Sequence, residues 1–285
     1  MSTTAGGEGR AALPLPVRVL VKGASTVNWV SWMGGPRTDF ILPRVIEDRL
    51  LGDGRPCVVQ TYSVASEPTH GVLATWEREV LGFSPDAVVL VYGHYETIHL
   101  LLPRWLERHA NSLRGRPRRL RLAYRRRVLR PTWMFLARVQ AAVDVRWGHR
   151  LRTRRHEKVV ADLEAYVRHV RSVGRPLVHL VELLPPHERY VSWFPGMPRR
   201  IATMNAALED LVRRFDDPEV RFVRVADLVD SVAGGDLAVA IPDGFHYSPA
   251  MHRAVGERIA ASIEEWADGQ PHLTGRTTPA PVTEA

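Results

Sequence analysis

Hydrophobic positions along this chain follow two periods. Short runs dense in Val and Leu occur at Val17-Arg-Val-Leu-Val-Lys22, Cys57-Val-Val-Gln-Thr-Tyr62, Ala87-Val-Val-Leu-Val-Tyr92, Leu177-Val-His-Leu-Val-Glu-Leu-Leu184 and Val220-Arg-Phe-Val-Arg-Val225. Their length and β-branched content predict strands, the first of them ending at Gly23. Between the runs the spacing changes to the helical period. Phe40 to Leu51 predicts a helix stopped at Gly52-Asp-Gly54, and a mixed helical segment surrounds Trp76 to Leu81. Ile201, Met204, Leu208, Leu211, Val212 and Phe215 form one apolar stripe at 3.6 spacing. The last helix carries the fullest signature: Ser248 can cap it, Pro249 suits its first turn, and Val255, Ile259, Ile263 and Trp266 mark its buried face.

Strands alternating with helices predict a parallel sheet covered on both faces. Ligands of such sheets sit beyond the carboxyl ends of the strands. Those ends are Gly23-Ala-Ser25, Tyr62-Ser63, Gly93-His94-Tyr95-Glu96 and Glu182 onward.

Composition narrows the class. With 45% hydrophobic and 25% charged residues over 285 positions, the chain is not wholly disordered. One cysteine, Cys57, excludes a disulfide framework and any multi-cysteine zinc or iron–sulfur site; it is expected to pack as a small hydrophobe at a strand start. No run reaches about 18 uninterrupted apolar residues, and the first 16 residues lack an apolar stretch of signal-peptide length. The expectation is a cytoplasmic protein with frayed ends at 1–16 and 269–285 around a single domain, 17–268.

Net charge is +8, and it is concentrated. Residues 104–158 hold 18 Lys+Arg against Glu107, Asp144 and Glu157, a local excess of +15 that leaves the remainder at −7. Apolar residues such as Trp105, Leu122, Tyr124, Val128, Trp133, Phe135 and Val139 are interleaved with the arginines. This predicts an amphipathic helical insertion at about 101–160 that offers a surface to something anionic, such as an acidic membrane surface, because blocks like Arg125-Arg-Arg127 repel one another unless countered. Against that stands a solvated basic face packed on the sheet. No nucleic-acid-reading motif accompanies the charge.

Chemistry gathers at the two ends of the chain. In Pro242-Asp243-Gly-Phe-His246-Tyr-Ser248-Pro249, a carboxylate three residues before a histidine can hold its Nδ1–H and leave Nε2 free as a base. Ser25 follows the first strand directly, in Gly23-Ala24-Ser25-Thr26, where a serine could also be a plain helix cap. The Gly-x-Ser-x-Gly elbow fails at Val27, and phosphate-binding, dinucleotide-binding and His-Glu-x-x-His patterns do not occur. His94 and His99, or His179 and His187, have no evident carboxylate set and read as ordinary histidines. The segment Trp29, Trp32, Met33, Gly34, Gly35 and Pro36 reads as an apolar flap beside Ser25, or equally as core aromatics and a turn.

Together these segments resemble the SGNH (GDSL-type) hydrolase family, whose members carry a Gly-Asp-Ser motif after the first strand and Asp-x-x-His before the last helix. The resemblance covers about 17–100 and 175–265 and is most specific from Asp243 through the last helix. It implies a three-layer α/β/α sandwich on a five-stranded, flavodoxin-like parallel sheet. It also implies Ser25 as nucleophile, His246 as general base and Asp243 as its orienting partner. The implied function is an esterase, deacylase or acyltransferase without cofactor or metal, acting on an acylated small molecule or sugar that could carry an anionic handle.

The departures from the family pattern fall on the oxyanion hole. Ala24 replaces the motif's Asp. The stretch Tyr62-Ser-Val-Ala-Ser66-Glu-Pro lacks the family's glycine, so Ser63 or Ser66 must stand in. Gly93-His94-Tyr95-Glu96 has tyrosine where the family keeps an oxyanion-binding asparagine, so Tyr95 or His94 must rebuild the hole. The alternative is a catalytically degraded scaffold that binds an anionic surface or partner through the Arg-rich insertion.

Overall fold

The computed structural model of the protein describes residues 14–30, 35–64, 67–98, 119–191 and 196–274. Five parallel strands, β1 (Val17–Gly23), β2 (Cys57–Ser63), β3 (Ala87–Val91), β4 (Leu177–Val181) and β5 (Val220–Val223), form one sheet in the order β2-β1-β3-β4-β5. All five fall on the predicted runs. β4 and β5 stop short of them: the Glu182 backbone N–H makes a last bond to Val223 O at the end of β5, and its carboxylate then accepts from the N–H groups of Val225 and Ala226 beyond the strand.

Alternation within each strand builds two cores. Val17, Val19 and Val21 of β1, with Ala87, Val89 and Val91 of β3, face the helices α1 (Leu42–Gly52) and α7 (Pro249–Asp268). Leu20, Val88, Leu90, Val178 and Leu180 face the opposite side. There α2 (Thr69–Trp76), α4 (Arg130–Val173) and α5 (Met197–Phe215) cover them. This is the three-layer α/β/α sandwich expected of a parallel sheet buried on both faces. A short helix, α3 (His94–Ile98), follows β3, and α6 (Ala226–Ala233) precedes the turn that leads into α7. The Ser248 side chain caps α7 by accepting from Met251 N at 3.2 Å, as its sequence position predicts.

Lys22, next to the end of β1, points into the second core and is buried. It is paired with buried Glu79, hydrogen-bonded to Thr75 Oγ1 at 2.6 Å and set over the Tyr166 ring. Glu79 belongs to a π-helical turn, Glu77–Leu81, that prolongs α2. The ion pair therefore ties the end of β1 to this helix.

The described part of the basic segment is helical. Residues 119–129 are helical and lead straight into α4, whose final part supplies Val159, Leu163, Tyr166, Val167 and Val170 to the second core. From residue 119 onward, the basic helix and the helix that returns to β4 are one continuous element. At the other end, Pro271–Thr274 forms a short helix and buries Leu273, so ordered structure extends past the expected boundary at 268. Cys57 is half-buried at the start of β2, and burial raises its thiol to about 11. Residues 1–13, 101–118 and 275–285 lie outside the described residues. No helix among the described residues is long and apolar enough to cross a membrane.

Candidate active site

Strands β1, β2 and β3 end level with one another: Gly23 pairs with Ser63 on one side and Val91 on the other. This is the point where the strand order reverses, beyond the carboxyl ends. The chain turns sharply here. A Cβ on Gly23 would stand 2.4 Å from Val27 Cγ2 and 2.9 Å from Val91 O, so only glycine lets the turn fold back against β3. Ser25 opens the 3-10 turn Ser25–Val27 and is half-buried.

His246 arrives from the far end of the chain. Asp243 Oδ1 accepts the backbone N–H groups of Phe245 at 3.0 Å and His246 at 2.8 Å, closing an Asx turn. The other carboxylate oxygen, Oδ2, lies 2.6 Å from His246 Nδ1. An ionised carboxylate only accepts, so the proton in that contact sits on Nδ1 and Nε2 presents its lone pair. Nε2 lies 2.9 Å from Ser25 Oγ. A hydroxyl, an imidazole and a carboxylate thus form one hydrogen-bonded chain, with the imidazole tautomer set by the carboxylate.

The remaining predicted residues divide. Gly93 holds φ +108°, and a Cβ there would meet Leu183 and Met204, so the step from β3 into α3 requires glycine. His94 is buried beside the Phe245 ring at 5.8 Å between centroids. Burial, then the neighbouring His246, push its pKa down to about 4 against the opposing pull of Asp243, so it is neutral at pH 7. Its Nε2 has no hydrogen-bond partner among the described residues. Tyr95 is half-buried in the first turn of α3. Ser66 lies outside the described residues, as do residues 31–34 of the expected flap. The backbone on either side of that gap, Trp29–Val30 and Gly35–Pro36, pairs as an antiparallel ribbon.

Ser63 turns its side chain toward the start of the Ser25 turn. Its Oγ lies 2.9 Å from Ala24 O and 3.0 Å from Asn28 Oδ1, so the hydroxyl braces the turn that carries Ser25. Asn28 was not legible as a site residue, because an asparagine three positions past a serine reads simply as turn chemistry. Nor was His252, whose ring packs edge-on against that of Tyr247, the residue after His246. The His252 Nδ1 accepts from Leu42 N at 3.2 Å, and burial followed by His246 lowers its pKa to about 3.

No protein-family model and no curated protein matches the chain. Solved structures do. A lipase/acylhydrolase from Enterococcus faecalis superposes with a TM-score of 0.57 at 13% identity, over 88% of this chain and 96% of its own. A Parabacteroides merdae protein assigned as a GDSL-like lipase gives a TM-score of 0.55 at 13% identity, over 90% of this chain and 100% of its own. TesA gives 0.51 at 17% identity, over 90% and 99%. At such identities the likeness is one of fold, and it spans nearly the whole of each chain. The five-stranded α/β/α architecture of this protein is that of GDSL-type acylhydrolase structures.

Proposed function

We propose that the protein is a serine ester hydrolase of the SGNH type, with Ser25 as nucleophile, His246 as general base and acid, and Asp243 as the group that orients His246. One observation carries the reading: the unbroken contact chain from Asp243 Oδ2 through His246 to Ser25 Oγ, at 2.6 and 2.9 Å. In the reaction, Ser25 Oγ attacks the acyl carbon and its proton passes to His246 Nε2. The ester C–O bond then breaks, and Nε2 returns the proton to the leaving alcohol. A water or a hydroxyl acceptor, deprotonated by Nε2, attacks the acyl-serine; the acyl–Oγ bond breaks and Nε2 returns that proton to Ser25 Oγ. Water makes the chain an esterase, and a hydroxyl acceptor makes it an acyltransferase. Asp243 remains ionised and stabilises the imidazolium. Neutral His94 behind the loop lets that cation form without a second charge beside it.

A fluorophosphonate probe tests the reading directly. Covalent labelling of the wild type that disappears in Ser25→Ala supports it. Equal labelling of both would place the reactive serine elsewhere, and no labelling of a folded wild type would favour the degraded scaffold.

A further inference from the structure

Helix α4 lives in two surroundings. Its C-terminal part, from Val159 to Val173, runs about 21 Å at 1.5 Å per residue, roughly the length of the strands beside it. Val173 lies just before β4, at the amino edge of the sheet. The helix therefore descends along the sheet, and its upstream part projects past the carboxyl edge, the edge that carries Ser25 and His246.

That upstream part and the helical turn before it, Arg125–Leu129, show an apolar stripe to solvent. Val128, Phe135 and Val139 recur at spacings of seven and four, with 46%, 64% and 41% of their surface exposed. Phe135 and Val139 differ by only about 40° around the helix. Leu129, Leu136, Gln140 and Val143, one position on from this stripe, are at least half-buried. Arg126, Arg127, Arg138 and Arg146 are exposed alongside. From Arg108 to Val143 the sequence contains neither Asp nor Glu.

We propose that the helical segment from Arg119 to Arg146 docks the protein on an anionic lipid bilayer, with Phe135 and Val139 entering the interface and the flanking arginines reaching the headgroups. A helix with large apolar groups on one stripe and arginines beside it has the character of an interfacial helix. Long arginine side chains can follow the apolar surface while their guanidinium groups stay at the phosphates. Duplex nucleic acid would satisfy the arginines and leave Phe135 and Val139 in water. A second copy of this segment would bring like charges together. The anionic bilayer satisfies both features. Docking stands on the helix alone, independent of the hydrolase reading; if that reading also holds, the catalytic edge faces the lipid.

The test is co-sedimentation of the full chain with phosphatidylcholine vesicles containing about a third phosphatidylserine, beside pure phosphatidylcholine. The expected result is binding to the anionic vesicles only, weakening as salt rises. Phe135→Glu/Val139→Glu should bind at least about tenfold more weakly with an unchanged melting temperature, since both side chains are exposed. Absence of vesicle binding would overturn the proposal. So would wild-type binding by the double variant, which reduces the segment to a general polyanion surface as heparin retention would register. A wild-type dimer that the double variant abolishes would assign the stripe to self-association instead and overturn it equally.

Discussion

His246 Nε2 and Ser25 Oγ meet at 2.9 Å although 221 positions separate the two residues in the chain. The sheet makes this contact: β1 delivers the serine to its carboxyl edge, and the turn before α7 delivers the histidine to the same edge. If the contact is catalytic, Ser25→Ala and His246→Ala each abolish hydrolysis of short p-nitrophenyl esters without changing the circular dichroism spectrum. Asp243→Asn is expected to keep a residue of activity, with the imidazole in a poorer tautomer. Full activity in Ser25→Ala would end the reading.

If Ser25 is the nucleophile, the brace on its turn has its own consequence. Ser63 Oγ touches both Ala24 O and Asn28 Oδ1, the two flanks of the Ser25 turn. Ser63→Ala leaves those acceptors to water and costs about 1 kcal/mol of stability. The larger expected effect is on kcat, lowered about tenfold with KM nearly unchanged, because misplacing a nucleophile affects the transition state more than ground-state binding. A fall in stability alone would make Ser63 purely structural.

Much of this arrangement was readable from local chemistry. The strands announce themselves because a strand buried on both faces is a dense apolar run, as in Ala87–Val91. Asp243 and His246 lie within one turn, so their contact needs no tertiary information. The rest depends on what folding brings together. Lys22 alternates into the core, and nothing local says that Glu79 waits there. The course of α4 was hidden because its arginines and its core stripe of Val159, Leu163, Tyr166 and Val170 occupy successive stretches of one helix, whereas the sequence reading drew a boundary between them. His94 gives no sign in sequence that it is buried against Phe245 in the loop that carries His246.

Lys22 offers a stability test that the active site does not share. Both members of the Lys22–Glu79 pair are buried, so removing one leaves the other charged in an apolar setting. Lys22→Met is expected to cost about 3–5 kcal/mol in chemical denaturation, whereas Lys22→Met/Glu79→Leu recovers most of the loss. A single variant as stable as wild type would show that Glu79 finds another partner or water.

If the protein is a serine hydrolase, Tyr95 is the residue to test for holding the oxyanion. The resemblance aligns it with the family's asparagine, and it stands half-buried in the first turn of α3. If its phenol donates to the developing charge, Tyr95→Phe lowers kcat about 10²-fold with little change in KM. A silent Tyr95→Phe, combined with a gain in Tyr95→Asn, would assign the hole to other donors.

Acid sensitivity follows from three buried histidines. Burial lowers His94 to about 4 and both His179 and His252 to about 3, whereas in the unfolded chain each titrates near 6.5. Between these values the unfolded state binds more protons, so stability rises with pH there. The contribution is complete above about pH 6.5 and is lost progressively as pH falls toward the folded values. Each histidine supplies a slope of up to roughly 1.4 kcal/mol per pH unit, and the three together remove several kcal/mol between pH 6.5 and about 4.5. Urea denaturation across that range measures the slope. His252→Asn keeps an acceptor for the Leu42 N–H and removes one titration, so it should reduce the slope by about a third while leaving stability at pH 7.5 within about 1–2 kcal/mol of wild type. A wild-type profile flat from pH 7 to 5 would mean that these imidazoles protonate in place, and that the loop holding His246 is more open to water than its packing indicates.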